Sequence, residues 1–332
     1  MCGILFVDMK NGYGATKPIL KRYRKQATRG KQGYGYVTIC DGVLGEVKKF
    51  KSESDIISSI QNESVETILF HHRMPTGGVP NLPETAHPFE VKSDKLKYNY
   101  TVVHNGVITN FTTLFERYKK EGYEFSSEYQ EAKIFRFTNN KNTEYLEEPE
   151  IKVNDSECFA VDLANYLDGK NDRIEAIGTI SFVAIQTEKD GRVRKIIYGH
   201  NQGNPLVEEN DNTIFCLRSE GTGGGMRPLT VDKIYSMDWA TKEITSIDAK
   251  VGFRWYDDKY PNREKSVGYG SSSTKTEKES SLSHAYDTDH TSIEYGGMDN
   301  LRFLERNHPA LLSPIQKEDL HKSPIVDARG RT

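Results

Sequence analysis

Short apolar runs of strand length recur through residues 1–252, at 3–7, 34–39, 67–70, 100–103, 179–185, 195–198 and 213–217. Val, Ile, Phe, Tyr and Thr are frequent in them, and turn-forming residues bound them. No other feature limits the fold as much. Parallel strands need crossovers of a dozen or more residues, usually helical, and such connections do not occur throughout. A regular βαβ alternation is thereby excluded, and antiparallel sheets with few helices are expected. Helical periodicity appears in three places. Phe111, Leu114, Phe115 and Tyr118 fall at i, i+3, i+4 and i+7, with Asn110 in front as a cap and Gly122 behind as a stop. A second helix is expected to start near Asp155 and Ser156 and to carry Phe159, Leu163, Ala164 and Leu167 before Gly169. A third is expected over 17–26. The fold class read from these patterns is α+β.

Composition closes off several classes of function. Lys+Arg 45 against Asp+Glu 48 leaves a net charge of −3 over 332 residues, which offers no net field to a phosphate backbone. Direct nucleic-acid binding is not expected. No apolar run approaches the roughly 20 residues of a bilayer-spanning helix, so no membrane partner is expected. The opening Met1-Cys2-Gly3-Ile4 lacks the basic-then-apolar pattern of a secretory signal. Cysteines at 2, 40, 158 and 216 make neither paired nor metal-ligand spacing, which fits a reducing, cytoplasmic setting. Cys40, Cys158 and Cys216 lie in apolar contexts and read as buried, inert thiols. His71, His72, His87 and His104 match no familiar zinc spacing, and strand neighbours 71 and 72 face opposite ways. Neither a metal nor a cofactor is expected.

Two regions break the strand pattern. Residues 127–152 are strongly charged and polar, and Asn139-Asn140-Lys141-Asn142 reads as a hairpin tip. In 266–295, twelve of the thirty residues are Ser or Thr, leaving too little apolar surface to offset the entropy of ordering. The expected organisation is one domain over 1–252, with a charged insertion at about 127–152, followed by a polar, mostly disordered tail over 253–332. Leu301, Phe303, Leu304, Leu311 and Leu312 in that tail would suffice for one short docking helix.

The second residue carries the chemistry. If Met1 is removed, Cys2 becomes terminal and unites a nucleophile with a base. The sulfur attacks a carbonyl while the α-amine, with a reference pKa of about 7.7–8.0, handles the proton. Further motifs follow in order: His71-His72-Arg73-Met74-Pro75-Thr76-Gly77-Gly78, then Ala86-His87-Pro88, then Val103-His104-Asn105-Gly106-Val107-Ile108-Thr109-Asn110, then Asn154-Asp155-Ser156-Glu157. Weaker echoes are Arg29-Gly30 with Gly35, Asn204-Pro205-Leu206-Val207 and Ser219-Glu220. With Cys2-Gly3-Ile4 at its head, this series resembles the class II glutamine amidotransferase domain of the N-terminal-nucleophile hydrolases, over about residues 2–250.

The resemblance implies a four-layer αββα sandwich of two mainly antiparallel sheets. It implies that Cys2 hydrolyses the side-chain amide of glutamine through a γ-glutamyl thioester, giving glutamate and ammonia. Asn105 and Gly106 would donate to the oxyanion, although Asn-Gly is also a common hairpin turn. Arg73, with the Met74 backbone and Thr76, would hold the α-carboxylate, and Asp155 the α-ammonium. Asp155 or Ser156 would also serve as a helix cap. Arg29 is a candidate support behind the nucleophile. Family members normally carry the ammonia-using synthase in the same chain. The 80 residues after 252 hold no such motif, so the acceptor is expected to be a separate chain. Two other readings remain: an N-terminal-Cys hydrolase for another γ-glutamyl or amide substrate, and a catalytically silent scaffold.

Overall fold

The computed structural model describes residues 2–10, 16–26, 29–61, 65–74, 83–139, 142–201, 204–219 and 226–249, with backbone only for 131–150. All lie in the unit Met1–Arg263. The expected tail over 253–332, and Thr76, fall outside the described residues.

In chain order the elements are β1 (Gly3–Met9), α1 (Thr16–Gln26), β2 (Tyr34–Cys40), β3 (Val43–Leu44), β4 (Lys48–Phe50), α2 (Glu53–Gln61), β5 (Thr67–His72), β6 (Phe89–Val91), β7 (Asn99–Ile108), α3 (Phe111–Lys120), β8 (Tyr129–Asn139), β9 (Asn142–Lys152), α4 (Asp155–Leu167), β10 (Gly178–Thr187), β11 (Val193–His200), β12 (Val207–Asn210), β13 (Ile214–Arg218), β14 (Arg227–Pro228), β15 (Lys233–Asp238) and β16 (Ile244–Asp248). One sheet runs β14-β12-β13-β1-β5-β2-β3, with β4 also on β2, and a second runs β16-β15-β11-β10-β7-β6. The pairings of both are antiparallel.

Strand alternation sorts the side chains into three apolar layers. From β1, Ile4 and Phe6 point into the space between the sheets, where they meet Val103, Val183, Ile185 and Tyr198. Leu5 and Val7 point the other way, onto Ile19 and Tyr23 of α1 and Ile56 and Ile60 of α2. On the far side, α3 and α4 lay Leu114, Tyr118, Phe159 and Leu163 against Tyr100, Val102, Ile180 and Phe182 of the second sheet. Each such fully buried large side chain contributes roughly 1.5–3 kcal/mol. The layers are therefore helix, sheet, sheet, helix, as the resemblance implied.

Several local expectations change. Asn105-Gly106 is no turn: both residues lie inside β7, paired with Ser181 and Ile180 of β10. Asn110 precedes α3 but makes no side-chain cap. Its amide instead donates to Glu175 O and accepts from Ile177 N, tying the start of α3 to the segment that leads into β10. Gly122 does end α3, with φ +81 and its N–H on Lys119 O. The cap of α4 is Asn154, whose side chain accepts from Ser156 N at 2.9 Å, so neither Asp155 nor Ser156 serves as the cap. Helix α2 carries only Ile56 and Ile60 inward, too few to show periodicity. Residues 127–152 form a hairpin, β8 on β9, whose ladder closes on itself from Tyr129↔Lys152 to Asn139↔Asn142.

Candidate active site

The register of β1 sets the direction of Cys2. Cys2 has the parity of Ile4 and Phe6, which face the inter-sheet layer. Its half-buried sulfur accepts from Met74 N at 3.4 Å and lies 3.5 Å from Met74 O. The Met74 side chain is 45% exposed, so its backbone rather than its thioether touches the sulfur. Burial pushes the Cys2 thiol up, against the Met74 N–H that favours the thiolate. Arg29 donates its Nε–H to the Cys2 carbonyl at 3.1 Å. The segment after it holds the other wall: Gln32 N bonds Arg73 O at 3.0 Å and Arg73 N bonds Gly33 O at 2.8 Å. Gly30 permits this approach, because a Cβ there would lie 2.6 Å from the Arg73 carbonyl carbon and oxygen.

Arg73 is 3% exposed. Burial lowers its pKa, and Cys2, Asp155 and Tyr129 pull the other way. Asp155 stands at the first turn of α4, half-buried, and accepts Ile108 N–H at 2.8 Å. Burial pushes its carboxyl up, while that N–H, Ser156 and Arg73 favour the carboxylate. Cys2, Arg73 and Asp155 therefore act on one another's charge within one site.

Asn105 has the parity of Val103, so its side chain too is directed to the inter-sheet layer. It is 2% exposed, its carbonyl accepts Asn204 Nδ2 at 3.2 Å, and its own Nδ2 finds no hydrogen-bond partner among the described residues. A buried donor left in that condition costs about 1–3 kcal/mol. Beside it, Gly106 has no room for a side chain: a Cβ would sit 1.7 Å from Thr179 O.

The histidines are packing and hydrogen-bonding groups. His71 lies against His87, ring centres 3.8 Å apart, and its Nε2 donates to His104 O. His104 Nε2 faces Thr179 O at 3.2 Å and Nδ1 faces Ser156 Oγ at 2.9 Å. A carbonyl can only accept, so Nε2 carries the proton and Nδ1 receives the serine hydroxyl. His72 turns away, onto Tyr23 and Tyr34. Burial lowers all four, His72 and His104 to about 4, so they are neutral near pH 7. Cys158 and Cys216 are buried, the latter with its thiol raised to about 12, whereas Cys40 is half-buried, contrary to expectation.

Three supports use residues of the quoted motifs, through contacts the motifs themselves do not specify. Ser219 Oγ accepts Ile4 N at 2.7 Å, stapling β1 to the residue after β13. The Ser156–His104 bond joins α4 to β7. Glu157 accepts from the N–H and hydroxyl of both Ser126 and Ser127, at 2.5–2.8 Å.

No family model matches the chain. Among characterised relatives, glutamine–fructose-6-phosphate aminotransferase of Listeria innocua is 34% identical over 122 residues, 36% of this chain and 19% of the relative. Its counterpart in Methanosarcina mazei is 32% identical over 133 residues, 39% of this chain and 20% of the relative. The chain thus spans about a fifth of the length of the relatives it matches. In architecture it is similar to the glutamine phosphoribosylpyrophosphate amidotransferase of B. subtilis, with TM-score 0.50 and 16% identity, covering 74% of this chain and 49% of that one. A structure described as the allosteric regulatory enzyme of purine biosynthesis gives TM-score 0.52 at 16% identity and the same coverage. Two antiparallel sheets between helical layers give the described part of the chain the fold of these amidotransferase structures, and the sequence similarity to the aminotransferases extends over 36–39% of the chain.

Proposed function

We propose that this chain hydrolyses the side-chain amide of glutamine, with Cys2 as nucleophile once Met1 is removed. The observation that carries the reading is Asn105 Nδ2, a buried donor without a partner in the layer toward which Cys2 is directed. A protein interior retains such an orphan where a ligand atom completes it. An oxyanion is that kind of atom.

In the proposed reaction, Arg73 and Thr76 hold the α-carboxylate of glutamine and Asp155 holds its α-ammonium. Burial keeps the Cys2 thiol protonated near neutrality, so attack needs a base. The free α-amine takes the thiol proton, through a water, as sulfur bonds to the amide carbon. The resulting oxyanion is met by Asn105 Nδ2 and Gly106 N–H. Collapse breaks the C–N bond, the amine returns its proton to the leaving nitrogen, and ammonia departs. Water then attacks the γ-glutamyl thioester, giving glutamate and restoring the thiol. The ammonia passes to a synthase carried by a separate chain.

Purified wild-type protein is expected to release glutamate and ammonia from glutamine, and Cys2→Ala none. Equal rates in the two proteins would show that the nucleophile is elsewhere. Mass spectrometry of the mature protein is expected to find Cys2 at the N-terminus, and a retained Met1 would count against the amine as base. Full transfer of ammonia to an acceptor by the isolated chain would rule out a separate synthase.

A further inference from the structure

Directly opposite Asn105 in the β7–β10 ladder stands Ser181. Opposed residues of an antiparallel pair share a face, with Cβ atoms about 4.5–5.5 Å apart. The next pair on that face, Val103 and Val183, packs in the inter-sheet layer with Ile4, two residues from Cys2. Ser181 is fully buried, and its Oγ, like Asn105 Nδ2, has no hydrogen-bond partner among the described residues. Two polar atoms in the same condition thus lie side by side on adjacent strands. The other inward residues of β10, Val183 and Ile185, hold that face by apolar contact alone, so packing does not call for a hydroxyl there. The chemistry of an amide accounts for the pair. A carboxamide nitrogen carries two hydrogens, and an oxyanion takes up one of them. In a site shut off from water the other must also be met. A serine oxygen has the lone pairs to meet it.

From this pairing we infer that Ser181 is a positioning residue: with substrate bound, its Oγ accepts the second Nδ2–H of Asn105 and fixes the plane of the amide that donates to the oxyanion. The inference rests on the glutamine reading above, and it gives Ser181 no contact with glutamine itself. Bonds of this kind are often long or poorly aligned in the free enzyme and tighten in the complex that reacts. The terminal torsion of an asparagine is soft. Without the serine the amide can turn over and present Oδ1, which repels an oxyanion. With it, the donor is aimed from a neighbouring strand, whose backbone the ladder holds in place.

The test measures steady-state glutamine hydrolysis and thermal melting for wild type, Ser181→Ala, Ser181→Thr, Asn105→Ala and the double variant Asn105→Ala/Ser181→Ala. Ser181→Ala is expected to lower kcat about tenfold, the factor that one neutral hydrogen bond is worth, with KM kept. Its melting temperature should stay level or rise, because the hydroxyl it loses has no partner among the described residues. Ser181→Thr keeps the hydroxyl on a residue suited to a strand and should recover most of kcat. In the Asn105→Ala background, Ser181→Ala should cost nothing further, since no amide is left to position. A wild-type kcat in Ser181→Ala would overturn the inference while leaving the glutamine reading intact. So would an equal fall in kcat with and without Asn105, or a fall that only follows loss of folded protein. A Ser181→Thr protein that melts like wild type but works at the alanine rate would also overturn it. A wild-type protein inactive on glutamine would remove the reading and the inference together.

Discussion

Asn105 and Gly106 are neighbours with opposite demands on the fold. Asn105 keeps a buried Nδ2 without a partner among the described residues, so its side chain adds little to stability. Asn105→Ala is expected to leave the melting temperature nearly unchanged and to lower kcat about 10²–10³-fold, the usual cost of one oxyanion donor. A variant with wild-type kcat would remove Asn105 from the mechanism. Gly106 is under steric constraint. Thr179 O, which a Cβ would approach to 1.7 Å, belongs to the adjacent strand and cannot yield without breaking the β7–β10 ladder. Gly106→Ala is expected to lose folded protein as well as activity, read by circular dichroism and soluble yield. At this scale much was legible in advance. The motifs named both residues, but the sequence left open whether Asn-Gly was a turn. Pairing with β10, about 75 residues away, decided that, and no local pattern encodes such a partner.

Helix α4 and the hairpin show how elements position these residues. Asn154 both caps α4 and reaches Thr85 O, so Asn154→Ala should cost about 1 kcal/mol for the cap alone and shift the urea midpoint downward. If the midpoint does not move, the cap is not holding the helix. The β8–β9 ladder pairs only within itself. Replacing residues 131–150 by a short turn should therefore leave thermal stability within about 1 kcal/mol, in line with the small cost of changing a surface loop. Collapse of the melting transition would instead mean that the outer hairpin is part of the core. The hairpin tip at 139–142 was readable from its Asn-rich sequence. Its root was not, because the Glu157 contacts to Ser126 and Ser127 link residues 30 apart that share no periodicity.

The whole molecule carries a pH dependence through its buried histidines. His72 and His104 have folded pKa values of about 4, below the unfolded value near 6.5. The unfolded chain therefore binds more protons between those values. The stability from keeping them neutral is complete above pH 6.5 and is lost as pH falls toward 4. The slope approaches about 1.4 kcal/mol per pH unit for each histidine. His71 and His87, also lowered by burial, add to it. Asp155 and Asp162, whose carboxyls burial pushes up, act in the opposite sense and offset part of the loss at the acid end. Urea unfolding at pH 7, 6 and 5 should show a falling free energy, and a flat profile would contradict the neutral, buried state of these rings.

Sequence by itself determined the class of the fold and supplied the candidates for the site. Strand-length runs with short connections dictate antiparallel sheets, and the alternation of Ile4 and Phe6 against Leu5 and Val7 already separates two faces of β1. Residue types at the motifs offer candidates for a nucleophile, an oxyanion donor and charge partners, because those roles need a thiol, an amide and a guanidinium–carboxylate pair. The tertiary structure decided which faces meet. Parity directs Cys2 and Asn105 to one inter-sheet layer, while His104 turns to α4 and His72 to α1. It also decided that the charged insertion is pinned beside Asp155. The physical reason is range. Periodicity, caps and turns are written within a few residues, whereas ladder register and buried polar bonds join groups tens to hundreds of residues apart and exist only once the chain has packed.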